Sequence, residues 1–317
     1  MKGKRFANLT PILLALVVML CWGSLYPTVK LGYEKFEIDT AYYPNLLLFA
    51  GVRFTVSGVL ITLFLTAKNK KIPTVSTGKE WLGIAIVGLF SVMLNYSLAF
   101  YGLSIVASSK TALLKQAGAL IFIVISALLF KESKMTIGKG IGAVLGACSI
   151  VILNINQLGI SMGFGETIII LSSFCTVTAS VVCKKMLTNT DSIAITGYSQ
   201  LFGGVVLLAI GFAFGGKMAF AEMGDWLLFG YMTLATCASY MIWYTIVQKY
   251  DLSKLFIVKL SEPLFAAIIG AIILQENIFQ WHYLGAFLCI ATAVVISNLT
   301  FSKRQKVAKE EKISKNA

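Results

Sequence analysis

Ten long apolar segments restrict what this chain of 317 residues can fold into. Each segment is close to the roughly 20 residues that an α-helix needs to cross about 30 Å of membrane hydrocarbon. The segments are continuous, whereas the strands of a membrane barrel would alternate apolar and polar residues. We therefore predict an all-α membrane protein with ten transmembrane helices. The predicted spans are 9–31, 43–66, 81–103, 108–130, 137–155, 164–187, 193–214, 226–247, 253–274 and 279–301.

The basic residues are distributed unevenly between the two ends of the predicted spans. If the N-terminus is cytoplasmic, 20 lysines and arginines lie in cytoplasmic segments and only Lys35 and Lys217 lie in outside loops. Cytoplasmic loops of membrane proteins carry such an excess, so we predict that both termini are cytoplasmic. The net charge of +13 reflects this bias and does not indicate a nucleic-acid partner. Charged residues make up only 13% of the chain, which excludes most water-soluble enzymes.

The second half of the chain repeats the first with an offset of 144 residues. Tyr96 aligns with Tyr240 and Lys115 with Lys259 in one ungapped register that includes further identities. Each half contains five predicted spans, and an odd number requires the two halves to enter the membrane from opposite sides. Inverted repeats are found in many secondary transporters, which bind substrate near the bilayer midplane. The two predicted repeats and the basic cytoplasmic tail are 1–158, 159–301 and 302–317.

Several motifs occur in the order seen in a known transporter family. They are CWGSLYPTVK, GVRF, YGLSIVASSKTALL, ALLFKE, SYMIWYTIV, SEPLFAAIIG and AIILQE. With these motifs, residues 9 to 301 resemble an EamA-type member of the drug/metabolite transporter superfamily. The resemblance implies that the fifth and tenth helices form scaffold or interface and lie outside the pocket. The family often has a proline in the fourth helix that would match Pro263, but this chain has Ala119 there, so we expect no kink in that helix.

Charged residues within the predicted spans are the first candidates for a functional site, because each is costly there and usually faces a cavity or a partner. We assign Lys115, Lys259 and Glu262 to substrate binding. Arg53 is assigned to substrate binding or a gate, with a structural ion pair or the capping of backbone carbonyls as the alternative. The i, i+3 spacing of Lys259 and Glu262 also permits a neutralising pair between them. Two further lysines lie near helix ends, from which long side chains can reach the headgroups: Lys30 and Lys110.

Aromatic residues deep in the spans are the second group of candidates. A buried Trp or Tyr seeks a partner for its polar tip, so we predict that these residues line the substrate cavity, with packing inside the bundle as the alternative. They are Trp22, Tyr96, Tyr240 and Trp243.

Prolines and glycines in the spans point to backbone roles. Pro27 and Pro263 lack a backbone donor and are predicted to kink their helices, as part of a gate or as structure alone. Gly138, Gly142 and Gly146 recur every four residues in the fifth helix. Small residues at this spacing let membrane helices approach closely, so we predict that this helix serves packing.

These features predict a secondary transporter that exports a small organic metabolite by alternating access of the two repeats, and not an enzyme. The interior excess of positive charge favours an amino acid or a related organic anion as the solute. A multidrug exporter for quaternary ammonium compounds and a membrane-embedded transferase are the alternatives.

The sequence also bears on cofactors, location and partners. It contains no phosphate-binding loop of the Gly-Lys-Ser/Thr type, and its six cysteines and one histidine lack metal-ligand spacing. We therefore expect no cofactor and no metal. The predicted location is the plasma membrane of a bacterium, with lipid and a small solute as partners. Glu262 is a candidate proton carrier, and either a monomer or a homodimer is compatible with the sequence.

Overall fold

The computed structural model describes residues 2–69, 75–129, 136–153 and 163–275, together with scattered positions between 281 and 296. Within these residues the chain forms helices joined by turns and short loops, and no β-strand. The all-α prediction is therefore confirmed for this part of the chain. The elements are α1 (Lys2–Lys35), α2 (Tyr43–Asn69), α3 (Gly78–Gly88), a π-helical turn (Leu89–Leu94), α4 (Asn95–Ile105), α5 (Ser108–Leu114), α6 (Gln116–Leu129), α7 (Ile137–Leu153), α8 (Phe164–Met186), α9 (Ser192–Ala213), α10 (Met223–Lys249), α11 (Leu252–Lys259) and α12 (Glu262–Ile273).

Within the described residues, seven helical segments are long and apolar enough to cross a membrane. They are Thr10–Lys35, Tyr43–Lys68, Gly78–Ile105, Phe164–Met186, Ser192–Ala213, Met223–Lys249 and Leu252–Ile273. Each overlaps one of the predicted spans, so this part of the chain crosses the membrane several times. Of the other predicted spans, 108–130 is divided between α5 and α6, and 137–155 corresponds to α7, which has 17 residues. The predicted span 279–301 lies mostly outside the described residues.

Polar residues in the loops start several of these helices. Thr77 accepts a hydrogen bond from the backbone N–H of Glu80 at 3.2 Å, and the Glu80 carboxylate accepts one from the backbone N–H of Thr77 at 3.0 Å. Asp191 and Asp251 cap α9 and α11 with carboxylate oxygens that accept hydrogen bonds from backbone N–H groups of the first turn. The first turn of a helix leaves these donors unpaired, and such caps satisfy them.

Asp251 also connects α7 to the start of α11. Its carboxylate accepts a hydrogen bond from Lys139 Nζ at 2.9 Å. Burial raises the pKa of Asp251, but hydrogen bonds from Lys139 and Ser253 outweigh that effect and hold the pKa below its ordinary value. The carboxylate therefore stays ionised at neutral pH, and this ion pair holds the two helices together at one end of the bundle.

α2 and α9 form the most extensive helix pair in the described part of the chain. A Cβ added at Gly204 would lie 2.5 Å from the backbone nitrogen of Thr55 and 2.7 Å from the carbonyl carbon of Phe54. The two backbones are therefore in contact, which only small residues allow. We call this contact the α2–α9 seam, and Arg53 lies beside it with no exposed surface.

Two helical segments are interrupted at the lysines that align in the sequence repeat. Lys115 separates α5 from α6, and α11 ends at Lys259. α12 begins at Glu262 and has Pro263 in its first turn, where the missing backbone donor costs nothing. Both lysines are thus held at helix breaks, and the break at Lys259 lies inside the membrane-spanning segment Leu252–Ile273.

The expectation that the fourth predicted helix has no kink, drawn from Ala119, is wrong. The helix breaks at Lys115 although it has no proline there. Ser173 of α8 accepts a hydrogen bond from the backbone N–H of Gly118 at 2.9 Å. A side chain that inserts into a helical hydrogen-bond ladder is a recognised cause of such a break.

The glycine row of α7 faces neighbouring helices. Gly138, Gly142 and Gly146 are all buried. A Cβ at Gly146 would lie 2.5 Å from Leu260 Cδ1 and 3.0 Å from Leu120 Cδ2. This face of α7 therefore lies against α6 and the end of α11.

Candidate functional site

A cavity lies where α1, α2, α4, α8 and α10 meet the helix breaks at Lys115 and Lys259. It offers about 50 Å³ to the centres of water-sized molecules, several times the roughly 10–15 Å³ that one water needs. The cavity therefore accepts small polar groups in this conformation. Ten of its lining side chains carry polar atoms: Trp22, Tyr26, Arg53, Asn95, Tyr96, Lys115, Thr176, Tyr240, Lys259 and Glu262.

The structure brings most of the predicted site residues together. The predicted substrate-binding residues that line the cavity are Trp22, Tyr96, Lys115, Tyr240, Lys259 and Glu262. Trp243 lies behind them, where its indole N–H donates to Ser180 Oγ at 3.2 Å and its ring packs 5.1 Å from that of Trp22. Arg53, a candidate from the sequence for substrate binding, a gate or a structural role, lines the cavity as well.

Lys259 and Glu262 form a buried ion pair at the break between α11 and α12. The Lys259 ammonium group donates to one carboxylate oxygen of Glu262, and Tyr26 Oη of α1 donates to the other at 2.6 Å. The same ammonium lies 4.5 Å from the ring centroid of Trp22, within the range of a cation–π interaction. The neutralising pair that the i, i+3 spacing permits is thus present, and it is anchored to α1.

Lys115 has neutral partners instead. Its ammonium group donates to Asn95 Oδ1 and to Ser172 Oγ, the latter at 3.1 Å. Asn95 Oδ1 also accepts a hydrogen bond from Thr176 at 3.3 Å. Among the described residues no carboxylate lies within ion-pair distance of Lys115. The neutral side chains therefore bind the ammonium group of Lys115 through their dipoles, but they do not balance its charge.

Arg53 is fully buried among aromatic rings. Its guanidinium carbon lies 4.7 Å from the ring centroid of Phe54, 5.4 Å from that of Tyr96 and 5.2 Å from that of Phe100. None of its three side-chain nitrogens has a hydrogen-bond partner among the described residues. The faces of the rings stabilise part of the positive charge, but the N–H donors of the guanidinium have no acceptor in this part of the chain.

Tyr96 and Tyr240 connect the two halves of the chain across the cavity. Their hydroxyl oxygens lie 3.0 Å apart in a hydrogen bond between residues 144 positions apart. Tyr240 also packs 5.4 Å from Trp22, measured between ring centroids. The aromatic candidates from the sequence therefore form one cluster, with Trp243 in its second layer.

The remaining predicted residues lie away from the cavity. α1 runs through Pro27 without interruption. Lys30 Nζ donates to the carbonyl of Val106 at 3.2 Å, and Lys110 pairs with Glu166 at 2.9 Å, so both lysines bind protein groups at one end of the bundle. The glycines of α7 are at the helix interface described above.

Tyr26 and Asn95 are site residues that the sequence reasoning missed. Tyr26 follows Trp22 by four positions and therefore lies on the same helix face. Asn95 is an amide inside an apolar span and follows directly on the π-helical turn, an irregularity that is frequent at functional sites. Both signals were available in the spacing and the polarity of these residues.

The described part of the chain contains no group of three or more His, Cys, Asp or Glu side chains that could hold a metal ion. The cavity can bind a small molecule through charged groups, hydrogen bonds and the faces of aromatic rings.

The chain resembles known proteins over most of its length. The sequence pattern described as the EamA-like transporter family matches residues 9–155 and again residues 163–298. The "Uncharacterized transporter YoaV" of Bacillus subtilis (strain 168) is 27% identical over 297 residues, which cover 91% of this chain and 96% of that protein. The "Uncharacterized inner membrane transporter YedA" of Escherichia coli (strain K12) is 23% identical over 311 residues, with 96% and 97% covered. A solved crystal structure shares the fold with a TM-score of 0.71 at 16% identity, over 92% of this chain and 97% of that one.

Proposed function

Because the chain belongs to the EamA-like transporter family, a family of multi-pass membrane transporters, we propose that it is a secondary transporter that exports an amino acid or a related organic anion. The solute would bind in the cavity between α1, α2 and the two helix breaks. Family membership supports transport, and the solute class rests on the charges of the cavity.

The charge of the cavity is the observation that carries this proposal. Lys259 and Glu262 neutralise each other, which leaves Arg53 and Lys115 as an excess of positive charge. Uncompensated charge is costly inside a membrane, so an anionic group on the solute would stabilise the site. A quaternary ammonium compound is disfavoured, because both oxygens of Glu262 already accept hydrogen bonds, from Lys259 and Tyr26.

We also propose the full arrangement of ten helices in two inverted repeats, with both termini cytoplasmic. Two lysine contacts support it. Lys30 donates to the carbonyl of Val106, and Lys184 donates to that of Tyr250 at 2.7 Å. Val106 and Tyr250 directly follow α4 and α10 and are 144 residues apart, and their lysine caps lie at opposite ends of the bundle. The double match to the family pattern supports the two units 1–158 and 159–301.

The same caps support alternating access as the mechanism. Each cap joins two helices of one half at one end of the bundle, so releasing one while keeping the other would open the cavity to one side only. The Glu262 carboxylate is a candidate proton acceptor, because its protonation would release Lys259 to bind the solute. The cycle would then couple solute export to proton entry.

Counterflow in proteoliposomes tests the proposed function. Vesicles are loaded with an unlabelled amino acid or organic acid, and the accumulation of the same labelled solute from outside is measured. We expect saturable accumulation of chemically unchanged solute, reduced in Lys115→Gln and Lys259→Gln and retained in the control Lys110→Gln. Exchange of quaternary ammonium compounds alone would overturn the charge argument, and a modified solute would indicate a transferase.

A further inference from the structure

Arg53 is the one cationic group lining the cavity that lacks a hydrogen-bond partner among the described residues. Lys115 donates to Asn95 and Ser172, and Lys259 donates to Glu262. By contrast, the three side-chain nitrogens of Arg53 are buried and unpaired. A buried donor without a partner costs free energy, and a charged donor costs more. The position is therefore stable only if something besides hydrogen bonds from the protein compensates it.

The aromatic rings around Arg53 compensate only part of this cost. Phe54, Tyr96 and Phe100 present ring centroids 4.7, 5.4 and 5.2 Å from the guanidinium carbon. Ring faces attract the positive charge, but the five N–H donors lie in the guanidinium plane and need acceptor atoms. Arg53 is part of the cavity wall but has no exposed surface in this conformation, so an acceptor on a bound solute reaches its donors once the surrounding rings move aside.

We infer that the carboxylate of the transported solute binds Arg53, and that the other cations of the cavity have supporting roles. This inference rests on the proposed function and names the group of the solute that the site recognises. A guanidinium presents a rigid fork of donors that matches the two oxygens of a carboxylate. The sequence assigns the solute to Lys115 and Lys259 and leaves Arg53 with substrate binding, a gate or a structural role as alternatives, and the geometry favours substrate binding at Arg53.

The chemistry of the three cations favours Arg53 over the lysines. A buried lysine can lose its proton, whereas a guanidinium stays charged in proteins. Lys259 would also have to leave Glu262 before it could bind an anion. Arg53 lies ten residues into α2, which is about 15 Å along a helix axis. Arg53 is therefore near the middle of its span. A binding site that opens first to one side of the membrane and then to the other must lie at about this depth.

The test compares acids with their carboxamides, which have nearly the same size but lack the negative charge. Wild type, Arg53→Gln, Arg53→Lys and the control Lys110→Gln are purified in detergent. Each is titrated with three pairs: L-alanine and L-alaninamide, L-leucine and L-leucinamide, butyrate and butyramide. The readout is the concentration that gives half of the maximal thermal stabilisation. We expect wild type and Lys110→Gln to prefer an acid over its amide by about tenfold or more, since hydrogen bonds between charged groups are strong.

Loss of that preference in Arg53→Gln would support the inference. Arg53→Lys retains the positive charge but lacks the fork, so we expect a reduced preference there. If both Arg53 variants discriminate acid from amide as wild type does, the inference is wrong while the proposed function stands. If wild type shows no preference for any acid and counterflow finds only uncharged or cationic solutes, the proposed solute class fails together with the inference.

Discussion

Lys115 and Lys259 occupy corresponding positions in the sequence repeat, and both lie at helix breaks, but their surroundings differ. Lys259 is paired with Glu262 and lies over the ring of Trp22. Lys115 is held by Asn95 and by a serine, both neutral. The repeat has preserved the position of each lysine and the break in its helix, whereas the compensation of its charge has diverged.

This difference gives the cavity two unlike sides. The side formed by α11, α12 and α1 is nearly neutral, because the carboxylate of Glu262 balances the ammonium of Lys259. The side formed by α2, α4 and the break at Lys115 is positive. A solute with one anionic end and one apolar or polar end would therefore bind in a defined orientation.

Among the changes that test this difference between the two lysines, removing the Glu262 carboxylate is expected to lower the free energy of unfolding most. Glu262→Gln leaves Lys259 buried without a counter-charge, and breaking a buried pair in this way costs about 3–5 kcal/mol. The free energy of unfolding in detergent measures the loss. The double variant with Lys259→Gln should recover much of it, because no unpaired charge remains. A double variant as unstable as the sum of the two single variants would contradict the pairing.

Removing the charge of Lys115 should destabilise the protein less than removing that of Glu262. Lys115→Met removes a charge that has no carboxylate partner in the described part of the chain, so no opposite charge is left behind. Asn95 Oδ1 keeps its hydrogen bond from Thr176, and Ser172 keeps its bond to the carbonyl of Ile169. We expect a loss of about 1–2 kcal/mol in unfolding free energy. A loss equal to that of Glu262→Gln would mean that the two lysines are equivalent after all.

Tyr96 and Tyr240 offer a contact that joins the two halves symmetrically. Tyr96→Phe and Tyr240→Phe each remove one hydroxyl from the same 3.0 Å hydrogen bond. We expect each to cost about 1 kcal/mol. The double variant should cost little more than either single one, because the bond is already lost. Additive losses in a double-mutant cycle would show that the hydroxyls act separately.

The smallest effect is expected at the end of the bundle. The ammonium of Lys110 pairs with Glu166 at 2.9 Å, and the two side chains retain 25% and 19% of their exposure. Partly exposed ion pairs contribute about 0.2–1 kcal/mol. Lys110→Gln should therefore shift the melting temperature only slightly and leave binding in the cavity unchanged. A loss comparable to that of Lys115→Met would remove the basis for using Lys110 as the control.

Features encoded by local spacing could be predicted from the sequence. The seven spans follow from runs of apolar residues. The pair between Lys259 and Glu262 follows from an i, i+3 separation, which fixes two side chains on one helix face. The gathering of Tyr96, Tyr240 and the two lysines around one cavity agrees with the single register of the repeat.

Features that depend on how helices rotate and pack could not be predicted in the same way. The partners of Lys115 are 20 and 57 residues away in sequence, and no spacing rule connects them. The break at Lys115 arises from Ser173 on another helix, whereas the sequence offered only the absence of a proline at Ala119. Of the rings around Arg53, Phe54 is its neighbour in sequence, but Tyr96 and Phe100 come from α4, which is distant along the chain.

The α2–α9 seam has a consequence for motion during transport. Helices that touch backbone to backbone cannot slide past each other without atomic overlap, so this pair would serve as the pivot of a rocking cycle. Points near a pivot travel least, and points far from it travel furthest. A solute bound at Arg53, beside the pivot, would stay almost stationary while the openings on either side of the membrane exchange around it.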